Sequence, residues 1–243
     1  MEKTGIDLLE GLLQAPKTKV SVIVHTGPDG DAMGSGLAWT SVLKQHGLDA
    51  KLIVPNAYPQ FLAWMPGVEE VLNAETQVEE ARQWVEESEW VFCLDFNAVK
   101  RMAGIQEWIL DNHKLGIIDH HQEPEDFGVF RYIDDAASST CELIHRLCQD
   151  LKLMDAIGQA EAECLYTSLV TDTGSFKFSS TQASTHHMAA DLLNRGVQSN
   201  RIQNQLFDTN RMERLKLLGY VLSQKMQLKL EGKLVVMALS KAE

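Results

Sequence analysis

The stretch Val22-Ile-Val-His-Thr-Gly-Pro-Asp-Gly-Asp-Ala-Met-Gly-Ser-Gly36 decides the fold. It opens as an apolar strand, turns through Gly27, Pro28 and Gly30, and enters a helical pattern running from Asp31 to His46, with Gly47 where a C-cap belongs. Working outward, the apolar runs Lys19 to His25, Ala50 to Pro55, Trp90 to Phe96 and Lys114 to Asp119 read as strands. Helical periodicity covers Thr76 to Ser88, Met102 to Asn112, Thr140 to Leu153, Gln159 to Thr171 and Thr181 to Arg195. Strands alternating with helices predict an α/β fold, a largely parallel sheet with flanking helices.

Beyond residue 200 the pattern changes. Ser199 to Ser223 looks helical with mixed polarity, as a connector would, and Lys225 to Leu230 and Lys233 to Leu239 flank Glu231-Gly232, a two-residue hairpin signal. A lone hairpin is marginally stable in water. The expected organisation is therefore a first domain over 1–200, a helical connector over 201–224, and the beginning of a shortened second domain over 225–243. A hairpin covered by a second chain, as in a homodimer, is the other reading of the same residues.

Composition narrows the chemistry. The 243 residues carry 34 acidic against 22 basic side chains, a formal charge of -12, with no basic run. That argues against a grip on long duplex nucleic acid through its phosphates, and leaves small anionic substrates that cations could bridge to an acidic site. No apolar run approaches the roughly 20 residues that span a bilayer, and the acidic start Met1-Glu-Lys-Thr-Gly-Ile-Asp is unlike a signal peptide, so the expected address is cytoplasmic, without membrane attachment. Cys93, Cys141, Cys148 and Cys164 form no C-x-x-C pair and read as reduced, buried residues.

Four segments carry chemistry. The opening strand ends at His25 and is followed by Asp29 and Asp31; a second apolar strand, Val91-Phe-Cys-Leu, ends in Asp95; a third, Leu115-Gly-Ile-Ile, ends in Asp119-His120-His121. In open α/β sheets ligands bind at the carboxyl ends of the strands, where these residues fall. The fourth segment places Asp172 at the end of an apolar helix, where the helix dipole disfavours an anion and a nearby cation is needed. A nucleotide-cradling loop fails on spacing, since there is neither G-x-G-x-x-G nor G-x-x-x-x-G-K-[ST]. Carboxylates and imidazoles without thiolate suit hard divalent cations, manganese above magnesium, iron or zinc. So many carboxylates together would repel one another without metal, and two cations about 3.5 to 4 Å apart suit in-line displacement at phosphorus.

Taken together, His25-x-x-x-Asp29-x-Asp31-Ala-x-Gly-Ser35, the strand-end Asp95, Asp119-His-His121 and Asp172-Thr-Gly-x-Phe176 resemble the DHH phosphoesterase superfamily. That superfamily includes RecJ-like exonucleases, nano-RNases that also dephosphorylate 3′-phosphoadenosine 5′-phosphate, diadenylate hydrolases and family II pyrophosphatases. The resemblance covers residues 5 to 200 and is strongest to the nano-RNase branch, through Tyr132-Ile-Asp-Asp-Ala-Ala-Ser-Ser-Thr140 leading into a helix. The hydroxyls of Ser138, Ser139 and Thr140 fit an N-cap, and a helix N-terminus there could also receive an anion.

The resemblance implies that His25, Asp29 and Asp95 hold one metal ion while Asp31, Asp95, His120 and Asp172 hold the other, with Asp95 as the bridge. It implies that His121 contacts the scissile phosphate, that Asp119 orients His120 rather than ligating, and that Arg101, six residues after Asp95, meets a phosphate oxygen. The expected reaction is metal-hydroxide attack on short oligoribonucleotides or on phosphoadenosine phosphate. A cyclic or linear diadenylate phosphodiesterase comes next, then a pyrophosphatase, and a metal-binding core of little activity without its second domain is the reading from another class.

Overall fold

The computed structural model describes residues 1–109, 111–209 and 212–241. Two compact units emerge, Met1–Ile202 and Gln203–Glu243. The first holds strands β1 (Glu2–Thr4), β2 (Lys19–Val24), β3 (Asp49–Val54), β4 (Leu72–Asn73), β5 (Trp90–Leu94), β6 (Lys114–Asp119) and β7 (Phe130–Ile133). Its helices are α1 (Ile6–Leu13), α2 (Gly30–Gln45), α3 (Val78–Glu87), α4 (Thr140–Asp150), α5 (Gln159–Asp172) and α6 (Ala183–Asn194).

The seven strands form one sheet in the order β1-β7-β6-β5-β2-β3-β4, parallel at every pairing except β1 with β7. The α/β reading with a largely parallel sheet therefore holds. The chain leaves β2 toward β3 and β4, then returns to lay β5 against the other side of β2. That reversal is a topological switch point, and the crevice between the carboxyl ends of the two strands opens there.

Both faces of the sheet are covered, which is why its strands read as continuous apolar runs. Successive side chains point to opposite faces. Ile23, Cys93 and Ile117 face a core completed by Ala81 and Val85 of α3 with Met102 and Ile105. Phe92 points the other way and meets Trp39 of α2 edge-on at 5.5 Å, with Trp90 and Phe130 adding to the same aromatic cluster. Each such ring or branched side chain, fully buried, contributes roughly 1.5–3 kcal/mol. β5 is buried at all its positions, so Asp95 follows a rigid support. The four cysteines are free thiols and buried.

Three expectations need correcting. Met102 to Asn112 is not an α-helix: a 3-10 segment spans Val99–Trp108 and breaks at Ala103 (φ 49°, ψ -136°), beside Gly104, which weakens helical continuity; Leu110 lies outside the described residues. The Ser199 to Ser223 helix is also interrupted, α7 (Ser199–Gln203) giving way to a π-helical turn, Asn204–Asp208, at Asp208-Thr209, both weak helix formers; positions 210 and 211 are outside the described residues. In the second unit, α8 (Met212–Tyr220) is followed by a π turn and by β8 (Gln227–Lys229) paired antiparallel with β9 (Leu234–Val236). The hairpin expected there forms, but Lys229 faces Leu234, so the connection has four residues rather than two, because positive φ extends over Leu230, Glu231 and Gly232. The short strands β1, β4 and β7 were not expected. No helix is long and apolar enough to cross a membrane among the described residues.

Candidate metal centre

The site forms at the switch point. His25 follows β2 and is 5% exposed. Its Nδ1 lies 3.0 Å from the Thr26 carbonyl, which leaves Nε2 facing Asp95 Oδ2 at 3.5 Å and Asp29 Oδ2 at 3.9 Å. Asp29 is the N-cap of α2: one oxygen accepts from the amides of Asp31 (3.0 Å) and Ala32 (3.1 Å), which turns the other toward His25. Asp95 follows β5 in the left-handed region at φ 65°. An aspartate tolerates that conformation better than a bulky residue, and strain of this kind collects at functional sites.

Asp31, in the first turn of α2, is buried. His120 follows β6 and turns its Nε2 toward three carboxylates: Asp172 Oδ2 at 3.4 Å, Asp95 Oδ1 at 3.6 Å and Asp31 Oδ2 at 3.7 Å. Asp172 is the last residue of α5. It reaches the site because α2 and α5 pack closely. A methyl group at Gly34 would stand 2.6 Å from Ser168 Cβ, and one at Gly30 would stand 2.8 Å from Thr171 Cβ. Only glycine at these two positions, one turn apart, lets α5 come so near.

Three donor groups result: His25, Asp29 and Asp95; Asp31, His120 and Asp172; and Asp95, His120 and His121, the ligand atoms of each group lying within 4.8 Å of one another. All six expected ligands are thus brought together, with Asp95 common to two groups. The donors are oxygen and imidazole nitrogen, with no thiolate among them, which fits a hard or borderline divalent cation.

The electrostatics fit the same conclusion. Burial, reinforced by Asp31, Asp29 and Asp172, pushes the Asp95 carboxyl well above the usual carboxylate range. Burial likewise raises Asp31, and burial followed by the Asp31 charge pushes Asp172 up to about 7. The metal-free protein therefore holds carboxyls that resist ionisation, a state that cations would reverse.

Asp119 does not orient His120. Its Oδ1 bonds His121 Nδ1 at 2.7 Å, and the neighbour of His120 Nδ1 is the Ala137 carbonyl at 3.3 Å. The reason is rotameric: both imidazoles turn toward Asp95, their ring centroids 4.9 Å apart, and only His121 then has Nδ1 over the strand-end acid. The hydrogen bond that His121 Nδ1 donates to Asp119 raises the His121 pKa, with burial and the charge of Arg101 opposing it. Arg101 is anchored through its carbonyl, which accepts from the amide (2.8 Å) and hydroxyl (3.0 Å) of Thr26. Its guanidinium has no carboxylate partner among the described residues.

The residues that follow the ligands are tied to each other. Asn97 Nδ2 donates to the Gln122 carbonyl at 2.9 Å, and the Val99 amide donates to Glu125 Oε2 at 2.9 Å, which joins the loops after β5 and β6. Two contacts of the site had no reading in the sequence. Thr140 donates its hydroxyl to Asp95, and Ser168 donates its hydroxyl to Asp31. Ser168 precedes Asp172 by four residues on α5, so helical spacing alone puts it on the same face.

Comparison with known proteins locates this arrangement. The DHH family, N-terminal domain, matches residues 19–169. The bifunctional oligoribonuclease and PAP phosphatase NrnA of Thermus thermophilus is 28% identical over 218 residues, covering 89% of this chain and 62% of the relative. Its namesake from Bacillus subtilis is 28% identical, covering 81% of this chain and 59% of the relative. The chain thus spans about three fifths of the length of these curated relatives. The crystal structure of an exopolyphosphatase-related protein from Bacteroides fragilis superposes with a TM-score of 0.93 at 33% identity, over 98% of this chain and 70% of that one.

Proposed function

The chain belongs to the DHH family, and from that premise we propose that it is a two-metal phosphoesterase acting on short oligoribonucleotides and on 3′-phosphoadenosine 5′-phosphate. One observation carries the reading: His25, beside Asp29, faces Oδ2 of the buried Asp95, while His120, beside Asp31 and Asp172, faces Oδ1 of the same carboxylate. In it, residues 1–200 act as the catalytic domain, and His25, Asp29, Asp31, Asp95, His120 and Asp172 hold two divalent cations, manganese first among them. When bound, such ions neutralise phosphoryl charge and lower the pKa of water. The substrate class is supported by relatives named for those two activities.

The chain's own residues supply the rest. His121 has its Nδ1 engaged by Asp119, so the imidazole is fixed in orientation and Nε2 remains for a phosphoryl oxygen. Protonation, favoured by Asp119, makes that contact a charge-assisted hydrogen bond, which strengthens as negative charge develops. Arg101, held by Thr26 and lacking a carboxylate partner among the described residues, binds a second phosphate oxygen. The acidic balance of 34 to 22 disfavours long polyanions and leaves recognition to the cations and these two side chains.

The test is release of phosphate and nucleotide from phosphoadenosine phosphate, a short RNA and a diadenylate, with manganese and with chelator. Manganese-dependent turnover of the first two, abolished in Asp95→Ala, is expected. Turnover that survives chelation, or a preference for diadenylate, contradicts the metal or the substrate half of the reading respectively.

A further inference from the structure

Asp31 and Asp95 are buried carboxylates, and an unrestrained carboxylate turns broadly about its terminal torsion. Neither is unrestrained here. Thr140, fully buried at the start of α4, touches both: its amide donates to Asp31 Oδ2 at 2.8 Å and its hydroxyl to Asp95 Oδ1 at 2.9 Å. The Cys141 amide donates to Asp31 Oδ1 at 3.2 Å, and the buried Ser168 hydroxyl donates to that same oxygen. Capping of α4 does not account for Thr140, because Ser139 is the N-cap and accepts from the Glu142 amide. The helix N-terminus is occupied by the protein's own carboxylate.

Counting lone pairs shows what these bonds do. Each carboxylate oxygen has about two acceptor sites. Cys141 and Ser168 fill both sites on Asp31 Oδ1, whereas Thr140 fills one on Oδ2 and leaves the other, on the oxygen that faces His120 at 3.7 Å. On Asp95, Thr140 takes one site of Oδ1, the oxygen toward His120, and leaves Oδ2 open toward His25. We propose that Thr140, assisted by Ser168, is the positioning residue of the metal centre: it leaves Oδ2 as the Asp31 oxygen that would be free to ligate and holds the carboxylate plane of Asp95 with Oδ1 toward His120 and Oδ2 toward His25, where each would be offered to a cation.

This inference rests on the two-cation reading, and calorimetric titration of the intact chain with manganese separates the two. Thr140→Val keeps the shape and the amide but removes the hydroxyl, and it weakens manganese binding about 10–100-fold, the usual cost of losing a partner of a metal ligand. Thr140→Ser, which keeps the hydroxyl, binds within a few-fold of the parent. In turnover, Thr140→Val recovers kcat as manganese is raised, with KM for the nucleotide unchanged. Should Thr140→Val fail to fold, Ser168→Ala carries the test with the same direction of loss. Parent-like affinity in the folded variant, or an equal loss in Thr140→Ser, overturns the positioning role and leaves the metal reading intact; a parent chain that binds no manganese overturns both.

Discussion

Asp172 ends α5 beside Asp31, and burial, followed by the Asp31 charge, pushes its carboxyl up to about 7. Asp31 and Asp95 shift the same way. A carboxyl whose folded pKa exceeds its unfolded value stabilises the fold while protonated, and that contribution is lost as pH rises through the folded pKa. The metal-free protein should therefore melt at a lower temperature at pH 8 than at pH 5. Carboxylates with depressed pKa values, such as Glu70 beside Lys44 and Glu87 beside Lys19, have finished titrating below that window. Saturating manganese closes the gap, since a cation favours the ionised form. Thermal melts with chelator and with manganese at the two pH values check this, and a pH-independent melt in chelator contradicts it. At the same scale, His121→Ala should lower kcat about 10²–10³-fold, the cost of one donor to a developing charge, while manganese affinity stays near that of the parent; loss of both in equal measure would make His121 a ligand instead.

The elements that present these residues divide into those the sequence announced and those it did not. His25, Asp95 and Asp119-His120-His121 each end an apolar run, and the end of a strand is a local property that residue type reveals. The contact between Thr140 and Asp31 joins positions 109 residues apart and depends on how α4 docks, which periodicity does not encode. Asp119 was paired with the wrong imidazole for a related reason, because the partner is chosen by side-chain rotation at two adjacent positions. Close packing of α2 on α5 lies between these cases: a glycine at position 34 marks a close approach, but residue type alone does not say that the element it meets is α5. Gly34→Ala should cost about 1–3 kcal/mol, because the added methyl meets the Ser168 side chain and α5 backbone in a packed core. It should also weaken manganese binding by displacing Ser168 and Asp172. Urea denaturation and metal titration of the variant check both, and an unchanged midpoint would mean that the helices have room to part.

Across the whole molecule, the doubly directed winding of the sheet gathers the candidate ligands from the ends of β2, β5 and β6, the start of α2 and the end of α5 into one crevice, although they stand between residues 25 and 172 of the chain. Such a centre couples folding to metal: at a hundredfold excess of free manganese over its Kd, binding to the folded state alone adds about 2.7 kcal/mol. Chelation should therefore lower the denaturation midpoint by a corresponding amount, and an equal midpoint with and without manganese would separate the metal from the fold. The central claim is that two cations share Asp95, and anomalous scattering from manganese-soaked crystals tests it most directly. Two peaks about 3.5–4 Å apart are expected, one against His25 and Asp29 and the other against Asp31, His120 and Asp172. A single peak, or peaks that leave Asp95 uncoordinated, would contradict the account.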